Sequence, residues 1–192
     1  MNILISAVGG QGALLTSRIL GKLAQNLNLD VKVSEVHGMS QRGGSVVTYV
    51  KFGEKIYSPI VEKGTADVVL AFELLEGARY ASYLREKGTL IVSSQRIDPM
   101  PVISGIMEYP DKLGEELREL PISLYEVNAM ELAQRAGSIR TTNVVLLGVL
   151  AKTTKIEKHQ WIKALEEIVP KGLLEINLKA FDLGYTLDAS IE

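Results

Sequence analysis

The sequence predicts a three-layer α/β/α sandwich around a mixed, mostly parallel sheet, with additional helices at the C-terminal end. Three observations predict it. Residues 2–36 read as strand, glycine turn, helix and strand. Short apolar runs then alternate with amphipathic stretches as far as residue 127. Two apolar runs separated only by Gly53-Glu54-Lys55 set an antiparallel hairpin inside that parallel pattern.

Taken in order, residues 2–8 form a short apolar strand that ends in the tight turn Gly9-Gly10-Gln11-Gly12. Leu14, Leu15, Ile19, Leu20, Leu23 and Leu27 then repeat at three- and four-residue spacing, which predicts a helix. Residues 31–36 are the second strand, so the opening is a β-α-β unit with a right-handed crossover. Residues 45–52 and 56–60 make the hairpin, 67–72 the next buried strand, 73–86 a helix and 88–93 a further strand. The Pro-, Gly- and Ile/Val-rich stretch 95–109 is expected to be a loop with a short edge strand. A short charged helix at 111–120 is best taken as a solvated face, and the last strand is expected at 123–127.

Asn128 is placed to cap a helix from Ala129, with Glu131 at the capping-box position. Residues 142–152 are strongly apolar but too short for a membrane, which predicts a buried helix. The stretch 157–169 is amphipathic through Trp161, Ile162, Leu165 and Ile168, and Pro170 stops it. Leu174, Leu178, Phe181 and Tyr185 make a final apolar stripe. With no linker, repeat or low-complexity segment, residues 1–192 are expected to form one domain.

Composition narrows the function. The chain of 192 residues carries a net charge of −2 and no basic run, so nothing points to nucleic acid or an anionic membrane as partner. No window approaches the roughly 20 apolar residues that span a bilayer. The N-terminus lacks a basic n-region and runs straight into a glycine turn, so it reads as a first strand and the protein as cytoplasmic. Cysteine is absent, which removes thiolate nucleophiles and the usual ligands of zinc and iron–sulfur clusters. Histidine occurs only at His37 and His159, so no metal site is expected.

Two loops carry the chemistry. Gly10-Gln11-Gly12 between strand and helix, with Glu35 near the end of the second strand, follows the layout of a dinucleotide fingerprint. Glycines there let a phosphate approach a helix N-terminus, where free N–H groups and the helix dipole favour an anion. Leu15 stands where the third glycine belongs, and any α/β domain needs a tight first turn. The other loop is Ser34-Glu-Val-His-Gly-Met-Ser-Gln-Arg-Gly-Gly-Ser45. His37 there can titrate near neutral pH or serve as a loop-stabilising hydrogen-bonder. Arg42-Gly43-Gly44 can present a guanidinium fork beside open backbone N–H groups, which suits a carboxylate or phosphate. Arg140-Thr141-Thr142-Asn143 precedes the apolar helix; capping is the expected role of Thr141 or Thr142, though the segment could reach the same crevice. His159 is assigned to the surface and Trp161 to the core. No P-loop, nucleophile elbow or paired carboxylates stand out.

The strings Val8-Gly-Gly-Gln-Gly12 and Val31-Lys-Val-Ser-Glu-Val-His-Gly-Met-Ser-Gln-Arg-Gly-Gly-Ser-Val-Val-Thr48 closely resemble the gamma-domain family of 2-oxoacid:acceptor oxidoreductases. The resemblance is to its indolepyruvate:ferredoxin branch. It extends to Gln95-Arg-Ile-Asp-Pro99, Asn128-Ala129 and Arg140-Thr-Thr-Asn-Val-Val-Leu-Leu-Gly148, and so covers most of the chain. It implies a subunit, inactive alone, of a complex that converts an aryl pyruvate and coenzyme A to aryl-acetyl-CoA, carbon dioxide and reduced ferredoxin. It implies the three-layer fold as well. Thiamine diphosphate and iron–sulfur clusters would belong to a larger alpha subunit, a division with which the missing cysteines agree, and coenzyme A would be co-substrate. Gly9, Gly10, Gln11 and Gly12, together with His37, Gly38, Ser40, Gln41, Arg42, Gly43 and Gly44, would line a crevice at the strand C-termini. Asn143 would lie nearby, and Arg42 would meet a coenzyme A phosphate or substrate carboxylate. The chain itself would supply no catalytic residue. Three alternatives stay open: a gamma subunit for pyruvate, 2-oxoglutarate or branched-chain oxoacids; a stand-alone dinucleotide-binding protein; and a purely structural partner.

Overall fold

The computed structural model describes residues 1–37 and 43–187, His37 by its backbone alone. Its strands are β1 (Asn2–Val8), β2 (Asp30–His37), β3 (Ser45–Gly53), β4 (Ala66–Ala71), β5 (Leu84–Ser93) and β6 (Ser123–Val127). The helices are α1 (Ala13–Asn26), α2 (Leu74–Tyr80), α3 (Met100–Ile103), α4 (Leu113–Arg118), α5 (Ala129–Ala136), α6 (Thr142–Thr153), α7 (Lys158–Ile168) and α8 (Leu174–Tyr185). The sheet order is β2-β3-β1-β4-β5-β6. β1, β4, β5 and β6 pair in parallel, while β3 runs antiparallel to both β1 and β2.

Side-chain alternation along β1 sorts the core into two layers. Ile3, Ile5 and Ala7 face a core shared with α1 and α5 to α8. Leu4 faces a second core that includes Val69, Leu90 and Val92 and is closed by Leu74 of α2 and Leu117 of α4. The expected three layers are present, and the C-terminal helices complete one outer layer. α6 is buried all round because it lies between β5 and α8, which is why its sequence is apolar on every side. Where α6 and α8 cross, a Cβ on Gly148 would collide with the Phe181 carbonyl oxygen, and one on Gly184 with that of Val145. Glycine at both positions lets the two backbones touch.

Three expectations of secondary structure fail, two of them because the sheet overrides a local pattern. No strand forms at 56–60, because β3 has both edges filled by β1 and β2, so a hairpin partner would have no edge to pair with. The antiparallel hairpin is β2–β3 instead. The helix expected at 73–86 ends at Tyr80; a 3-10 turn over Ala81–Tyr83 follows, and β5 already starts at Leu84. Leu84 pairs with Ala66 while Arg85 Nε reaches Asp67 Oδ1 at 2.7 Å, so tertiary pairing claims residues whose charges disguise a strand. The edge strand expected within 95–109 is the short helix α3, begun by Pro99 and Pro101, which lack N–H donors.

Candidate functional site

α1 carries the chain from β1 towards β2, whereas α2 carries it from β4 towards β5, in opposite directions along the sheet. The crevice between the C-termini of β1 and β4 is therefore the topological switch point, where open α/β sheets bind ligands. Gly10 (φ 103°) and Gly12 (φ 90°) form its floor in a conformation that side chains disfavour. Gly12 is doubly constrained, since a Cβ would stand 2.9 Å from Asn143 Nδ2. α1 begins there with no side-chain cap and no acidic residue in its first turn, which leaves its N-terminal dipole open to an anion.

Gln11 ties the crevice together. Its Oε1 accepts from Val8 N at 2.7 Å, and its Nε2 donates to Phe72 O at 3.0 Å and to Gln95 Oε1 at 3.2 Å. Three segments, the ends of β1, β4 and β5, are fixed by one amide. Asn143 is buried and donates through Nδ2 to Gly12 O and Thr16 Oγ1, both at 3.3 Å, so it anchors α6 behind the glycine turn. Gly10, Gly12, Gln95, Arg140, Thr142 and Asn143 share a cavity of about 380 Å³. Arg140 is exposed there and forms no ion pair among the described residues. The expected capping by Thr141 or Thr142 does not occur. Thr141 Oγ1 donates to Ser138 O at 2.8 Å and Thr142 Oγ1 to Ile139 O at 2.6 Å, because a 3-10 turn capped by Ser138 precedes α6.

The second predicted loop emerges at the same end of the sheet. His37 pairs with Val46 and Val8 with Ser45, and Gly9 N donates to Gly44 O at 2.9 Å. Gly43 and Gly44 thus stand beside the glycine turn. The His37 side chain and Gly38, Ser40, Gln41 and Arg42 lie outside the described residues. Glu35 shares a neighbouring cavity of about 410 Å³ with Gly9, Gly10 and Gly12. Leu15, in place of the third fingerprint glycine, packs on the core.

Two carboxylates escaped the sequence reading. Glu73, 1% exposed, caps α2 by accepting from Glu76 N at 2.9 Å, and its Oε1 accepts from Ile97 N at 3.1 Å and the Tyr109 hydroxyl at 2.7 Å. Burial, and then donation to Glu73, hold the Tyr109 phenol above its ordinary range. Glu76 is also buried; Ser45 Oγ donates to its Oε2 at 2.5 Å, and Arg79 Nη1 lies 3.5 Å from its Oε1. Burial pushes the Glu76 carboxyl above the usual carboxylate range against the opposing pull of Ser45 and Arg79. Both walls belong to a cavity of about 540 Å³ that Gly43 and Gly44 also line. The signal available was a Glu between a strand and a helix, the position of an N-cap. No group of three or more metal-ligating side chains occurs among the described residues. Nor is any described helix long and apolar enough to cross a membrane.

Comparison with known proteins places this geometry in a family. The family described as pyruvate ferredoxin/flavodoxin oxidoreductase matches residues 2–187. The chain is 40% identical over 188 residues to the indolepyruvate oxidoreductase subunit IorB of Thermococcus kodakarensis, covering 95% of this chain and 93% of that protein. To the 2-oxoglutarate synthase subunit KorC of Methanocaldococcus jannaschii it is 29% identical over 189 residues, covering 95% and 91%. The crystal structure of a keto/oxoacid ferredoxin oxidoreductase gamma subunit from Geobacter sulfurreducens superposes with a TM-score of 0.72 at 24% identity, over 96% of this chain and 95% of that one, and shows the same fold. With a family match across nearly its whole length and a close relative spanning almost all of both sequences, the chain belongs to the pyruvate ferredoxin/flavodoxin oxidoreductase family.

Proposed function

We propose that this chain is the smaller subunit of an indolepyruvate-type oxidoreductase and that its switch-point crevice holds an anionic group of coenzyme A or of the aryl pyruvate. The observation that carries the reading is the meeting, in one cavity, of the uncapped N-terminus of α1 with Arg140, which forms no ion pair among the described residues. Both favour a negative charge, and a guanidinium can grip a phosphate or carboxylate in two places. Greater identity to the indolepyruvate relative than to the 2-oxoglutarate relative, 40% against 29%, supports the aryl side chain.

The overall reaction turns an aryl pyruvate and coenzyme A into aryl-acetyl-CoA and carbon dioxide, and the electron pair released reduces ferredoxin. A chain without cysteine offers no thiolates for a cluster, so iron–sulfur clusters would sit on an alpha partner. Thiamine diphosphate, held on that partner, would supply the carbanion stabilisation the decarboxylation needs. This subunit contributes position and charge. The Gly9–Gly12 turn admits the anion to the helix end, Arg140 neutralises it, and Arg42 joins from the loop that starts at His37. The chain works in the cytoplasm as part of a hetero-oligomer.

In the complex reconstituted with its partner, Arg140→Ala should raise the KM for coenzyme A or the aryl pyruvate about ten- to hundredfold, the effect of losing a charged hydrogen bond. Arg42→Ala should act in the same direction. If neither variant changes either KM or the turnover, the binding role is wrong. Comparing ferredoxin reduction with aryl, 2-oxoglutarate and pyruvate substrates separates the oxoacid classes. Calorimetric titration with NAD tests the dinucleotide alternative, which the Glu35 cavity keeps worth the measurement.

A further inference from the structure

Of the two buried carboxylates that line the cavity of about 540 Å³, only one has a complete structural account. Glu73 caps a helix and holds a loop. Glu76 caps nothing. Its nearly buried side chain turns back to the end of the sheet, where it takes a short hydrogen bond of 2.5 Å from Ser45 Oγ, in the range of charge-assisted O–H···O⁻ contacts. Its own carbonyl lies 3.4 Å from Ser6 Oγ in β1. Ser45 is the first residue of β3 and pairs with Val8, and its neighbour Gly44 accepts from Gly9 N. One short path, Glu76 to Ser45 to Gly44 to Gly9, therefore links α2 to the Gly43–Ser45 segment, which lines that cavity, and to the glycine turn, which lines the cavity shared with Arg140. A buried carboxylate is a poor source of net stability, since desolvation offsets what its partners return. Its geometric consequence is the larger one.

We propose that Glu76 is a positioning residue, which through Ser45 fixes the Gly43–Ser45 segment against the Gly9–Gly12 turn and so sets the position of the turn that floors the crevice. The consequence for activity rests on the binding role proposed above; the consequence for structure does not.

The test uses the reconstituted complex carrying Glu76→Ala, Ser45→Ala, both together, or Glu76→Gln. Hydrogen–deuterium exchange is read at the amides of Gly9 and residues 43–46, and KM and kcat are measured in parallel. Each alanine variant should speed exchange at these amides about tenfold or more, as expected for loss of one charge-assisted bond. The double variant should be no faster than the faster single one, because both break the same link. Glu76→Gln, still able to accept from Ser45, should exchange at close to the unmodified rate. KM should rise in the alanine variants with kcat little changed, and the Gln variant should rescue it. Unchanged exchange, additive effects, or a Gln variant as fast as the Ala variant would overturn the proposal. Faster exchange with unchanged KM upholds the positioning role and removes the crevice as the ligand site. Should Glu76→Ala fail to fold, Ser45→Ala carries the same comparison.

Discussion

On the face covered by α1 and α5 to α8, the sheet meets a large hydrocarbon core whose buried polar side chains, Thr16, Asn143 and Asn177 among them, are uncharged, whereas on the face covered by α2 and α4 it also meets carboxylates. The first face packs Ile3, Ile5, Trp161 and Phe181 without exposure, and its helices approach until their glycines touch. The second buries Glu73, Glu76 and Tyr109 beside its smaller apolar core, and Tyr49, raised above its usual range chiefly by burial and then by Tyr83, lies there as well. The difference teaches a division of labour. Hydrocarbon supplies non-directional stability. The directional bonds of the second face hold loops in register where the strands end, and the candidate site lies at those ends.

Three measurements would break or sharpen this contrast, beginning with the hydrocarbon face. Gly148→Ala or Gly184→Ala should each cost about 3 kcal/mol in chemical denaturation, the upper part of the overpacking range, because the obstacle is backbone that cannot rotate away. A cost under about 1 kcal/mol would show that the two helices slide apart freely and that this face is less tightly determined than described. On the polar face, Glu73→Ala should cost about 2 kcal/mol by removing a helix cap and leaving Ile97 N and the Tyr109 hydroxyl without their partner. Adding Tyr109→Phe to that variant should recover part of the loss.

The smallest effect is in pH dependence. The folded state holds the Glu76 carboxyl above its unfolded value of 4.5, so the folded state keeps that proton longer. Below the unfolded value both states are protonated and burial costs nothing. As pH rises from there through the folded value, burial of the charge subtracts stability, and above it the loss is complete. Glu76→Gln, which never ionises, should therefore gain stability relative to the unmodified chain between about pH 4 and about pH 7. Denaturation midpoints at the two pH values check it, and a constant difference would mean that Ser45 and Arg79 fully compensate the burial.

Much of the site's outline was legible in the sequence, and for local reasons. Two positive-φ glycines in the turn before α1, and Asn128 accepting from Glu131 N at the start of α5, follow from residue types a few positions apart. Arg140 was visible as part of the segment before the apolar helix, but nothing local marked it as lacking an ion pair among the described residues. Two of the failures share a cause. The 56–60 run has strand composition, and 81–86 continues a helical stretch, yet each was decided by which sheet edges were already taken.

By itself the sequence determined the alternation of strands and helices, the uncapped glycine turn, the all-apolar α6 and the lack of any thiolate, because each is written in residue type or short-range periodicity. Only the tertiary structure decided that β3 would fill the gap between β1 and β2, and that Gln11 would join Phe72 and Gln95, 61 and 84 positions away. It also set Asn143 behind Gly12 across 131 positions, and Glu76 beneath Ser45. Such contacts link groups that any Gln, Asn or Glu could offer, and their partners are chosen by the packing of whole elements. Local sequence carries no mark of that choice.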